Sequence, residues 1–146
     1  MAFDLYAAFV PTIRQLLDAL PGLIDKGEAF AGNGGCSDAE MYEARLADDM
    51  WPLPWHIRSC WMHSAYALDQ LPDGAFTPDF TDIPADWNAM RAMIASAQKR
   101  MDECQPDEIN ALGVRHARAI AGERAWVAGS IGPVGTQLTP VGKVSP

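Results

Sequence analysis

Apolar residues recur at steps of three and four along much of the chain, which is the spacing of amphipathic α-helices. The first such stripe consists of Leu5, Phe9, Ile13, Leu16, Leu20 and Leu23. It predicts a helix from about Asp4 to Ala31 that turns this single face inward. Pro11 and Pro21 lie within the stripe, and because proline lacks an N–H donor they are expected to kink or split the helix.

Local start and stop signals predict the next two helices. The stretch Ser37-Asp38-Ala39-Glu40 has the spacing of a capping box and predicts a short helix that ends near Arg45. A longer helix, which we call the second helix, is predicted to begin at Pro52 or Pro54, where a missing N–H costs nothing. It is predicted to end before the turn at 72–74. Its inward face is formed by Ile57, Trp61, Ser64, Leu68 and Leu71.

The most regular pattern predicts a third long helix, from about Pro84 to Cys104. Its 3-4-3-4 spacing is typical of the inward seam of a helical bundle, and we expect that seam to be buried. The seam residues are Trp87, Met90, Ile94, Ala97 and Met101.

A fourth helix is predicted after Pro106, with Gly122 as its C-terminal stop. We expect it to lie beside the first three helices, with Ile109, Leu112 and Ile120 turned inward. Beyond it, the short apolar run 125–128 has no partner strand, and the Gly- and Pro-rich residues 129–146 are expected to be extended and mobile. The pattern therefore predicts an all-α bundle at 1–104, followed at 105–146 by a helix and a poorly structured tail.

Composition adds exclusions to this picture. The 146 residues are 49% hydrophobic and carry a net charge of −8, with a pI near 4.6, so we expect no binding to nucleic acid or to anionic membranes. The chain starts without a basic stretch, so no signal peptide is expected, and no run is suited to cross a bilayer. Cys36, Cys60 and Cys104 form no Cys-x-x-Cys pair, which favours a reducing cytoplasm.

Three residues of the second helix are candidate metal ligands. His56, Cys60 and His63 follow each other at steps of four and three, which places them on one helical face. The outer two are about 10 Å apart at 1.5 Å per residue, so further ligands would have to come from other helices, and His116 is one candidate. The alternative is a core histidine at 63, a small buried thiol at 60 and a surface histidine at 56.

A candidate ligand pocket involves Trp51, Trp55 and Asp49. Tryptophans are dense in this region and either line a pocket or anchor the core. Asp49 either contributes to an acidic site or caps the second helix. No nucleophile elbow, phosphate loop or dinucleotide fingerprint is present, so the motifs indicate no particular reaction.

One family resemblance covers residues 3–104. It rests on Leu5-Tyr6, Val10-Pro11, Leu16 and 23–28, more firmly on the run ARLADDMWPL from Ala44 to Leu53, and on His63. These residues resemble an uncharacterised bacterial domain family related to DinB-like proteins. The resemblance implies an up-down four-helix bundle, often a homodimer, with no established reaction. In the wider DinB-like group, histidines of several helices hold a divalent metal such as Zn or Ni, and His63 matches that pattern by position.

A second resemblance covers about 107–145. Its motif consists of 108–110, Gly113-Val114, Ala117-Arg118, Ala121-Gly122 and 127–135. This stretch resembles part of the homocysteine S-methyltransferase barrel, in which it would be a helix, a strand and a loop. The family's zinc-binding cysteines have no counterpart here, and some 40 residues cannot build a barrel of about 250, so no methyl transfer is expected from this chain alone.

Three hypotheses follow. The first is a DinB-like bundle that binds a divalent metal or a small ligand between its helices, and it is the one we favour. The second is a homocysteine S-methyltransferase-related fragment that is inactive alone. A hybrid or truncated reading frame, in which the start of a bundle is joined to a barrel fragment, would account for both resemblances. The third is a dimerisation module without a site. Metal analysis with and without His63→Ala would separate the first from the third.

Overall fold

The computed structural model describes residues 4–80 and 83–123, and all regular structure in this part of the chain is helical. The expected all-α fold is therefore confirmed, while the expected extended tail lies outside the described residues. The described residues fall into two compact units: Thr12–Cys104, and residues 4–11 together with 105–123. The helices are α1 (Leu5–Gly32), α2 (Asp38–Glu43), α3 (Leu53–Trp61), a π-helical turn (Met62–Tyr66), α4 (Ala67–Gln70), a 3₁₀ turn (Leu71–Asp73), α5 (Trp87–Glu103) and α6 (Pro106–Ala121).

The first helix forms as predicted, but it buries a different face. The buried line of α1 consists of Val10, Leu17, Ile24 and Ala31, seven residues apart. Leu16 and Leu23, which belong to the predicted inward stripe, are more than half exposed. Two adjacent apolar stripes run along α1, so periodicity alone cannot select between them. The helix is continuous through Pro11 and Pro21, so the predicted split is wrong.

Within Thr12–Cys104, ion pairs with α5 lie on either side of the buried face of α1. Near the start of α1, Arg14 Nε donates to Asp102 Oδ1 of α5 at 2.8 Å. Nearer the end of α1, Asp25 Oδ1 lies 2.8 Å from Arg91 Nη2 of α5. Arg91 also pairs with Glu28. These ion pairs flank the Leu17–Ile24 line and hold it towards α5.

The predicted seam of α5 is confirmed, since all five of its residues are buried. Each such side chain contributes about 1.5–3 kcal/mol on burial. At the start of the helix the Trp87 indole donates to Asp38 Oδ1 at 2.9 Å and packs edge-on against Tyr42. The capping box of α2 is also confirmed, because the side chains of Ser37 and Glu40 each accept a backbone N–H at the other position.

The helix predicted from Pro52 to the turn at 72–74 contains a π-helical turn at Met62–Tyr66. A wider turn frees a carbonyl that an α-helix would satisfy. The buried Ser64 hydroxyl donates to Cys60 O at 2.6 Å and lies 3.2 Å from Trp61 O. The serine side chain thus hydrogen-bonds to carbonyls at the start of the π-helical turn.

The second unit contains α6 and the first turns of α1. Gly122 ends α6 with φ +54°, as predicted, and the Tyr6 N–H donates to Asn110 Oδ1 at 3.1 Å. Ile109 is buried, whereas Ile120 is 79% exposed. The expectation that Ile120 points inward is therefore wrong, because only the first half of α6 is packed.

No helix in the described part of the chain is long and apolar enough to cross a membrane.

Candidate functional site

A cavity of about 470 Å³ opens on the side of the Thr12–Cys104 unit between α1, α2 and the start of α3. We call it the α1–α3 pocket. Its walls are mostly apolar, with three basic side chains among them and no carboxylate. The lining residues are Leu23, Lys26, Gly27, Met41, Ala44, Arg45, Leu46, Trp51, Leu53 and His56.

The α2–α3 connection forms much of this wall. Ala44, at the C-cap of α2, leaves the helix in an extended conformation, and the chain continues to Pro52, which begins α3 without a side-chain cap. Within this stretch Arg45 Nη1 donates to Met50 O at 3.0 Å and closes the loop on itself. The loop therefore presents Leu46, 90% exposed, and Trp51, 58% exposed, beside the pocket.

Two of the three predicted pocket residues lie in contact. The rings of Trp51 and Trp55 are 4.5 Å apart between centroids and tilted by 34°. Trp51 lines the α1–α3 pocket, and Trp55 lines a second cavity of about 280 Å³ beside residues 83–85. Arg45 lines both cavities. Each of the two tryptophans therefore lines a different pocket, and the contact between their rings lies where the two pockets adjoin.

Asp49 lines neither cavity and lies exposed in the loop. The N-cap of α3 is Pro52, so the alternative role of Asp49 as a helix cap is wrong. Asp49 precedes the N-cap by three residues, whereas the residue whose side chain accepts the first N–H groups is the N-cap itself.

The three candidate histidines differ in their own surroundings. His56 is exposed and lines the α1–α3 pocket. His63 is exposed too, with its ring 5.7 Å from the Phe76 ring, so the alternative of a core histidine is wrong. His116 is half-buried on α6. Within residues 4–80 and 83–123, no group of three or more His, Cys, Asp or Glu side chains is placed to hold a metal ion.

Cys60 lies between the two histidines and is half-buried. Burial raises the pKa of its thiol, because the low-polarity surroundings disfavour the thiolate. A metal ligand must be the thiolate. Coordination by Cys60 would therefore first have to overcome this desolvation.

The family model of DUF1993, a domain of unknown function, matches residues 5–126. The chain belongs to the DUF1993 family. No curated protein and no solved structure matches it. The family match includes α1 to α6 and every residue that lines the two pockets, so both pockets are part of the DUF1993 domain.

Sequence reasoning missed Lys26, Met41 and Leu53 as pocket residues of this DUF1993 domain. Lys26 lies exposed on α1, in the stretch 23–28 that supplies the weaker part of the family resemblance. One signal was available: the run from Ala44 to Leu53, which carries the family resemblance, forms half of the pocket wall.

Sequence reasoning also missed Arg58, which is 1% exposed in α3. Its guanidinium lies 3.1 Å from Asp79 Oδ1 and within about 6 Å of the Trp55 and Phe80 rings. A charged group this deep is stable only with such partners. Arg58 thereby ties the 74–80 loop to the tryptophan pair.

Proposed function

We propose that this DUF1993 chain is a binding domain for a small apolar molecule, held in the α1–α3 pocket. The observation that carries the proposal is the set of large apolar side chains that stay exposed around one concave site, Leu23, Leu46 and Trp51. Exposed apolar surface that converges on a cavity is typical of ligand sites. A volume of about 470 Å³ is within the range of small-molecule pockets.

The lining of the pocket supports binding more than catalysis. Its side chains include no carboxylate, hydroxyl or thiol, and His56 is the one imidazole among them. A reaction would need a nucleophile or an acid–base pair within reach of the ligand. We therefore propose no enzymatic activity for this site.

The experiment is a fluorescence titration with N-phenyl-1-naphthylamine, a neutral dye that brightens in apolar surroundings. We expect saturable binding to the full chain and at least tenfold weaker binding to Ala44→Trp, whose indole occupies the pocket. The matched control is Ala95→Trp on the exposed face of α5, which should bind as the wild type does. Equal binding to both variants, or no binding at all, would disprove the proposal.

The relation to DinB-like proteins and the metal site are further proposals, and both rest on the sequence resemblance. The all-α architecture and the DUF1993 match are compatible with the relation. The metal would depend on His63, with His56 or His116 as partners, and metal analysis of the purified chain with and without His63→Ala tests it. The alternative methyltransferase-related fragment rests on sequence resemblance alone, and half of its motif lies outside the described residues.

A further inference from the structure

Five of the seven lysines and arginines of the Thr12–Cys104 unit form ion pairs with carboxylates. Ion pairs are formed by Arg14, Arg58, Arg91, Lys99 and Arg100. Within the described residues of this unit, the two remaining basic chains, Lys26 and Arg45, form no ion pair, and both line the α1–α3 pocket. The pocket is therefore the place where this unit keeps positive charge uncompensated.

This placement runs against the overall charge. The chain has 19 acidic and 11 basic residues, so carboxylates are in excess. The lining of the pocket nevertheless contains none, although Asp48 and Asp49 lie in the loop that forms its wall. The site is thus complementary to a negative charge on whatever fills it.

We propose that the ligand of the α1–α3 pocket is an apolar carboxylate, with its charged end bound by Arg45 and Lys26. This inference rests on the proposed function and specifies its ligand class. A guanidinium offers five N–H donors in a plane that matches a carboxylate, and the hydrogen bond to Met50 O uses one of them. That same bond holds Arg45 beside the pocket. Met41, Trp51 and Leu53 provide the apolar wall for the rest of the ligand.

The test compares two ligands of the same size, 4-phenylbutyrate and its neutral amide, 4-phenylbutyramide, as competitors of N-phenyl-1-naphthylamine on the full chain. We expect the carboxylate to bind at least tenfold more tightly than the amide. Arg45→Met and Lys26→Met should each reduce carboxylate affinity about tenfold and leave amide affinity within about twofold. Arg45→Lys should restore part of the preference, because it keeps the charge and loses the planar donor pair.

Lys99→Met is the matched control, since it removes an exposed lysine from α5 and should change neither affinity. Equal affinity of carboxylate and amide would overturn this inference while leaving the proposed apolar pocket intact. Failure of the dye and of both competitors to bind would instead overturn the proposed function, and this inference with it. A preference that survives in both Met variants would show that other groups recognise the charge.

Discussion

Arg58 has the environment least expected from its residue type, because a guanidinium is buried where an apolar side chain would ordinarily pack. Its ion pair with Asp79 holds a charge that water cannot reach. Asp79 is itself partly exposed, so its own desolvation is modest. Breaking the ion pair would therefore cost free energy mainly because the buried Arg58 charge loses its partner.

We predict that Asp79→Asn lowers the free energy of unfolding by about 1.5–3 kcal/mol, the range of a hydrogen bond to a charged group. In an Arg58→Met background the same substitution should cost much less, since no buried charge is left to stabilise. Urea denaturation of the four proteins measures this coupling. Asp73→Asn, in an exposed position, is the control. Additive effects would contradict the assigned ion pair.

Glu40 carries the other residue-level prediction. The N–H and hydroxyl of Ser37 donate to its carboxylate and lower its pKa below the ordinary value. A lowered pKa in the folded state means that the cap stabilises α2 above the unfolded-state pKa and is lost as pH falls through the folded pKa. An NMR titration of the Ser37 amide should show this low pKa. Ser37→Ala should raise it towards the ordinary value, and Glu40→Gln should abolish the transition.

At the scale of the element, the helices are set by local rules but their packing faces are not. Two glycines of α1 show the difference. A Cβ at Gly22 would meet no atom within 4 Å, whereas a Cβ at Gly27 would lie 3.1 Å from the buried Trp87 ring. The indole cannot yield easily, because it is held by Asp38 and Tyr42.

We predict that Gly22→Ala raises the free energy of unfolding by about 0.5–1 kcal/mol, the helix-interior advantage of alanine over glycine. Gly27→Ala gains the same propensity but must displace the Trp87 ring, so it should be neutral or destabilising. Urea denaturation of the two variants gives the comparison. Equal stabilisation by both would show that α1 does not approach Trp87 as closely as the structure indicates.

At the scale of the whole molecule, the exposed apolar face of α1 bears on assembly. The homodimer expected from the family resemblance stays a prediction. Leu16, Leu23 and Phe30 repeat every seven residues along the exposed side of α1, a spacing that is self-complementary between two copies of a helix. Apolar residues at this spacing are costly to leave in water.

We predict that the wild type sediments as a dimer and that Leu16→Glu, which places a charge on this face, is a monomer. Gln15→Glu adds the same charge on the neighbouring polar side of α1 and should not change the sedimentation coefficient. Sedimentation velocity at several protein concentrations distinguishes the outcomes. A wild type that is monomeric throughout would refute the expectation.

Local sequence patterns predict where most helices of the described residues begin and end. The capping box at Ser37, the proline starts of α3 and α6, the stop at Gly122 and the seam of α5 are all recognisable because each depends on residues within a few positions of one another. The tryptophan density likewise pointed to Trp51 and Trp55. Short-range patterns of this kind act before any tertiary contact forms.

Local patterns leave open which stripe of α1 is buried, where the π-helical turn lies and which basic side chains form no ion pair. The ion pairs beside the buried face of α1 join Arg14 and Arg91 to acids on the other helix of the pair, and Arg58 pairs with Asp79 across a loop. Lys26 and Arg45 are recognisable as a candidate anion site only after the other lysines and arginines of the unit are found in ion pairs. Charge pairing and concavity are properties of residues distant along the chain, and a local pattern contains no information about them.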